Sequence, residues 1–144
     1  MSLEPKKDSR KYFVSGAPGP VGAYPHARRE GEFLFLSGIG PRQPGSDQIP
    51  GVTLDGQGVV IDHDIALQTR SVIENVQRVL EGADASLDQV VDILVFLTDM
   101  KRDFQTFNKV YAEYFSEIGP TRTTVEVGAL PTPIAVEFKV IARC

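Results

Sequence analysis

The chain has 144 residues, 42% of them hydrophobic and 24% charged, which suits one globular domain and excludes wholesale disorder. Its formal net charge of −4, with no basic cluster interleaved with aromatics, argues against a nucleic-acid partner, since phosphate backbones are held by dense positive charge. No apolar run approaches the ~20 residues of a bilayer span.

The segment Met1 to Asp8 lacks the apolar core of a secretory signal, so we expect an N-terminal arm over residues 1–19 of a cytoplasmic protein with no membrane contact. Gly16, Pro18, Gly19, Pro20, Gly22 and Pro25 mark the first 25 residues as loop. Ala27 to Ser37 reads as a hairpin whose charged turn, Arg29-Glu30-Gly31-Glu32, leads into a strand, Phe33 to Ser37. A second Gly- and Pro-rich loop, Gly38 to Gly51, has the length of a functional loop.

From about Asp62 to Gly82, Ile65, Val72, Val76, Val79 and Leu80 recur at helical spacing with Thr69 on the same stripe. Gln68, Arg70, Glu74, Gln77, Arg78 and Glu81 are expected to face outward, and Gly82 to stop the helix. Val90 to Leu97 is apolar on both faces, as in a covered strand. A second helix is predicted from about Asp103 to Ile118, where Phe104, Phe107, Tyr111 and Tyr114 form one aromatic stripe best read as core packing. Two last strands, Arg122 to Val127 and Ile134 to Ala142, complete an α+β order of β-β-loop-α-β-α-β-β.

Two helices can cover only one face of a sheet of five or six strands. The last strand carries Ile134, Val136, Phe138 and Val140 on one side but also Ala135 and Ile141 on the other, so we expect another copy of the chain to bury the second face. Arg122, Thr124 and Glu126 share a strand face. Glu137, between Val136 and Phe138, is costly there unless it is paired or used. Residue type alone leaves both a structural and a functional role open for Arg122 and Glu137. The single Cys144 and two histidines offer no metal-site spacing and no internal disulfide, so neither a metal nor a cofactor is expected.

The string Pro120-Thr121-Arg122-Thr123-Thr124-Val125-Glu126-Val127, then Leu130-Pro131 and Val136-Glu137, resembles the C-terminal signature of the RidA/YjgF reactive-intermediate deaminases. Gly22-Ala23-Tyr24, Leu36-Ser37-Gly38 and Phe104 to Tyr111 extend the resemblance over about Pro20 to Arg143. It implies a chorismate-mutase-like subunit and a homotrimer with inward-facing sheets, which could pair into a dimer of trimers. Active sites would lie in clefts between neighbouring subunits. On this resemblance Arg122 clamps a substrate carboxylate, a task suited to the two parallel donors of a guanidinium. Glu137 positions or activates water, and Tyr24, Ser37, Gly38 and Asn108 line the pocket.

Three departures refine this expectation. Thr124 stands where the family commonly has cysteine, leaving a hydroxyl that can bind substrate or water. Ile39 replaces a common glutamine, and Gly22-Ala23-Tyr24-Pro25-His26 replaces Gly-Pro-Tyr-Ser-Gln. His26 is then either a surface loop histidine or, with Arg28, Arg29 or Arg42, a holder of a second anionic group. Gly22 to Arg29 and Gly38 to Gly45 look most like the members that act on 2-aminomuconate, a dicarboxylate of bacterial aromatic breakdown. The expected reaction is its hydrolysis to 4-oxalocrotonate and ammonia. The alternatives are a general 2-iminobutanoate or 2-iminopropanoate deaminase, and a non-catalytic carboxylate-binding regulatory trimer.

Overall fold

In the computed structural model, which describes residues 10–144, the elements run in order β1 (Lys11–Tyr12), β2 (Ala27–Glu30), β3 (Phe33–Leu36), β4 (Val52–Leu54), β5 (Val60–His63), α1 (Ile65–Gly82), β6 (Val90–Leu97), α2 (Met100–Phe115), β7 (Thr121–Glu126) and β8 (Val136–Arg143). Of the predicted N-terminal arm, residues 1–9 lie outside the described residues. Six strands form a mixed sheet in the order β1-β2-β3-β8-β6-β7. Every pairing in it is antiparallel except β6 with β7, which α2 connects by a crossover. This is the expected α+β arrangement with both helices on one face.

Strand alternation divides the side chains. Leu34, Leu36, Ile93, Val95, Leu97, Val136, Phe138, Val140 and Ala142 are fully buried toward the helices. On the other face the register aligns Phe35 with Ile141, Leu94 with Lys139, and Phe96 with Glu137. Phe33 and Phe35 there remain 41% and 39% exposed. One apolar face is covered and one is open, as predicted. Ala135 differs: it precedes β8, its N–H donates to the Gln68 side chain at 2.8 Å, and it is buried.

Both helices start at side-chain caps. Asp64 accepts from Leu67 N and Asp99 from Arg102 N, each at 3.1 Å, satisfying a backbone donor the first turn leaves unpaired. The Asp99 cap starts α2 three residues before the predicted Asp103. Gly82 is the last residue of α1, as expected, and there a Cβ would meet Val14 Cγ2 at 2.6 Å. Glycine there permits close packing. The hairpin of β4 and β5 was not expected from the sequence.

Gln68 is the main correction in α1. It was expected to face outward and is fully buried. Gln68, Ser71 and Asn75, spaced three and four apart, form a polar seam beside the apolar stripe. Asn75 Nδ2 donates to Gly40 O at 2.9 Å and Arg42 O at 2.8 Å. Ser71 Oγ donates to Pro41 O at 2.7 Å. The long loop after β3 is therefore hung on α1 by its backbone carbonyls, as buried carbonyls require. Asn75→Ala would leave two carbonyls without these donors. We predict a loss of roughly 1–3 kcal/mol in denaturant unfolding, with an unchanged m-value.

Candidate active site

The loop hung on α1 places four of the predicted site residues together. A cavity of about 330 Å³ is lined by Tyr24, Ser37, Gly38, Arg42, Ile134 and Glu137, among others. Ile39 and Phe138 exchange both backbone hydrogen bonds, at 2.8 and 2.9 Å, which sets Gly38 beside Glu137. A Cβ on Gly38 would lie 2.9 Å from Glu137 Oε2. Only glycine lets the carboxylate rest there unmoved. Ser37 Oγ donates to Pro25 O at 2.7 Å, and Tyr24 OH accepts from Val21 N at 3.2 Å.

Glu137 projects from the open sheet face yet is half-buried, and burial pushes its carboxyl above the usual glutamate range. Lys139, next on that face, donates to the Leu36 carbonyl, and burial pushes its ammonium down. Both shifts mark a poorly solvated surface even in one chain.

His26 is neither exposed nor free to bind an anion in this arrangement. It is buried, its Nδ1 accepts from Val14 N at 2.9 Å, and its Nε2 lies 2.8 Å from Pro18 O. An accepting Nδ1 puts the proton on Nε2, which then donates. The ring braces the loop behind Tyr24. Arg28 pairs with Glu30 at 2.6 Å, and Arg29 donates to Gly31 O at 3.1 Å, both on the exposed hairpin. Of the four groups weighed for a second anion, Arg42 alone lines this cavity. Its Nη1 meets Asp47 at 2.8 Å and its Nη2 donates to Gly19 O at 2.7 Å.

Arg122, Thr124 and Asn108 stand elsewhere. Arg122 pairs in register with Ile93 and Thr124 with Val95, so both face the helices. Glu137 pairs with Phe96, which pairs with Val125, on the opposite face. With β6 between their strands and three residues between their rows, Arg122 and Glu137 are ~10 Å apart in each in-plane direction. They do not meet within one chain.

The Arg122 guanidinium lies over aromatic rings of α2, with Cζ 4.6 Å from the Tyr111 centroid, 5.2 Å from Phe107 and 5.9 Å from Phe104. It has no hydrogen bond or ion pair among the described residues. Asn108, four residues after Phe104 and three before Tyr111, shares their side of the helix. The Thr124 and Tyr111 hydroxyls are buried without partners among the described residues. Each chain thus carries two separate partial sites, one with a carboxylate and one with an unpaired guanidinium. The α2 stripe, read from sequence as core alone, also carries this arginine. Its period was visible; its target required the strand register.

The profile of the family described as endoribonuclease L-PSP matches residues 14–144. The chain belongs to this RidA/YjgF family. A RutC family protein of Pyrococcus horikoshii is 41% identical over 130 residues, covering 90% of this chain and 94% of that one. TdcF of Escherichia coli, whose name makes it a candidate reactive intermediate deaminase, is 33% identical over 129 residues, covering 88% and 90%. The crystal structure of E. coli TdcF with bound serine has a TM-score of 0.80 at 31% identity, covering 94% of this chain and 99% of that one. RidA from the Antarctic bacterium Psychrobacter sp. also has a TM-score of 0.80, at 30% identity over 93% and 98% of the two chains. These are RidA/YjgF-fold neighbours over nearly the whole subunit. Among the described residues, no helix is long and apolar enough to cross a membrane, and no cluster of three or more His, Cys, Asp and Glu is placed to hold a metal.

The half-buried Glu137 carboxyl of this RidA/YjgF subunit has a thermodynamic signature. A folded-state pKa raised by burial above the ordinary glutamate range means protonated Glu137 contributes stability below the unfolded glutamate range, which is lost as pH rises through the folded value. Glu137→Gln lacks that titration. Its stability relative to the parent should grow as pH rises from about 4 through the raised value and then level off. Denaturant midpoints across pH 4–8 would show this, and a pH-independent difference would contradict it.

Proposed function

We propose that the protein is a cofactor-independent deaminase of imine or enamine acids, working as a homotrimer. Each site would take Arg122, Thr124 and Asn108 from one copy and Tyr24, Ser37, Gly38 and Glu137 from its neighbour. The observation that carries this reading is the pair of incomplete sites. An unpaired guanidinium suits a substrate carboxylate, and a poorly solvated carboxylate in a cavity suits water activation. The apolar, half-open sheet face supports association, and the deaminase name of TdcF supports the reaction class.

The reaction is addition of water to a C=N carbon followed by loss of ammonia. Arg122 holds the adjacent carboxylate and draws electron density from the imine carbon. Glu137 accepts a proton from water as its oxygen bonds to that carbon, a general-base role worth typically 10²- to 10⁴-fold. The carbinolamine nitrogen then takes a proton and leaves as ammonia, and the carbon keeps the oxygen as a ketone. An enamine first gains a proton on carbon to become the imine. A carboxylate whose proton affinity is raised by burial is a better base than an exposed one.

The finer proposal is 2-aminomuconate as substrate, giving 4-oxalocrotonate. Arg42 in the wall of the Glu137 cavity favours it, because a dicarboxylate needs a second cation at a distance from Arg122. The −4 charge makes such local capture necessary and counts against an RNA substrate.

Ammonia release from enzymatically generated 2-aminomuconate tests the proposal. We expect Arg122→Ala to lower kcat/KM by at least ~100-fold with the fold intact. Arg42→Ala should weaken 2-aminomuconate turnover ~10-fold or more while sparing 2-iminobutanoate. Equal turnover of both substrates by Arg42→Ala would favour the general imine deaminase. Carboxylate binding with no turnover of any imine would favour a regulatory binder, and an undiminished Arg122→Ala rate would remove the clamp.

A further inference from the structure

A carboxylate clamp at an edge strand has an orientation problem. Arginine has a long, flexible stem, and bidentate recognition needs its plane held at a defined angle. Arg122 has no hydrogen bond or ion pair among the described residues to fix that plane. Stacking on an aromatic face does so while leaving the N–H edge, which lies in the guanidinium plane, free for an anion.

Tyr111 is the ring nearest the guanidinium, at 4.6 Å from Cζ. That ring is itself held fast, with Phe115 at 4.8 Å and Phe107 at 5.7 Å between centroids. Phe107, fully buried and edge-on to Phe138 at 85°, belongs to the core. Phe104 is farther, at 5.9 Å. We infer that Tyr111 is a positioning residue for this site, its ring face holding the Arg122 guanidinium in the plane that receives the substrate carboxylate. The inference rests on the reading of Arg122 as that clamp. The buried, unpartnered phenol hydroxyl is separable from the ring, because Tyr111→Phe removes one and keeps the other.

Two measurements on the full-length oligomer test this. One is the Arg122 ¹Hε resonance, which a ring beneath the guanidinium shifts upfield. The other is NMR titration with pyruvate, a small 2-oxo acid, which reads Kd into the millimolar range. Tyr111→Phe should keep the shifted resonance and bind pyruvate within ~3-fold of the parent, whereas Tyr111→Leu should move the resonance downfield, keeping only the part due to Phe107 and Phe104, and bind ~10-fold more weakly or worse. For imine turnover the loss should fall on KM more than on kcat. If Tyr111→Leu does not fold, Tyr111→Met fills the space without a π face.

A merely structural role would weaken binding whether or not Arg122 is present. We therefore expect Tyr111→Leu to change pyruvate Kd no further in an Arg122→Ala background. A parental Kd and resonance in Tyr111→Leu, or the same loss in the Arg122→Ala background, would overturn the inference. Parental pyruvate binding by Arg122→Ala alone would instead sink the clamp reading beneath it.

Discussion

The strand register of β6 with its two neighbours sets the terms for everything else. Ile93 carries Arg122 on its helix-facing row, and Phe96 carries Glu137 on the open row. Side chains on opposite faces of one sheet cannot grip one small molecule. If both groups serve the same substrate, two copies of the chain must assemble the site. Oligomerisation is then a chemical requirement as well as a way to cover apolar surface.

Each partial site is built by local chemistry that serves its position. The carboxylate side depends on the polar seam of α1, which ties down the carbonyls of Gly40, Pro41 and Arg42. It also depends on a glycine small enough to sit under Glu137. The guanidinium side depends on α2, started by the Asp99 cap and presenting its rings toward β7. β7 is an edge strand, so Arg122 stands at a border another copy can reach. The long β3–β4 loop and the edge strand are thus parts of the scaffold that carry candidate site residues.

Much of this was legible in the sequence. Periods of two and of three to four residues located the main strands and both helices, since burial of one face imposes those periods. The Pro120 to Val127 string and Glu137 supplied the candidate site residues through family resemblance. Other features were not legible. Gln68 looks like part of an outward polar face, because polarity alone does not distinguish solvent from a buried backbone amide as the partner. His26 reads either as a surface loop histidine or as a holder of a second anion, and its buried commitment to Val14 and Pro18 follows from a loop path that no local pattern encodes. The separation of Arg122 from Glu137 required knowing which strands neighbour β6.

The most direct test mixes two inactive proteins. Arg122→Ala and Glu137→Gln, co-refolded in equal amounts and checked by native mass spectrometry for mixed oligomers, each lack one half of the site. If neighbouring copies supply the two groups, about one site in four of a random ring unites an intact arginine with an intact glutamate, and imine-dependent ammonia release returns to that level. Mixed oligomers with no more activity than either parent variant would contradict the shared site.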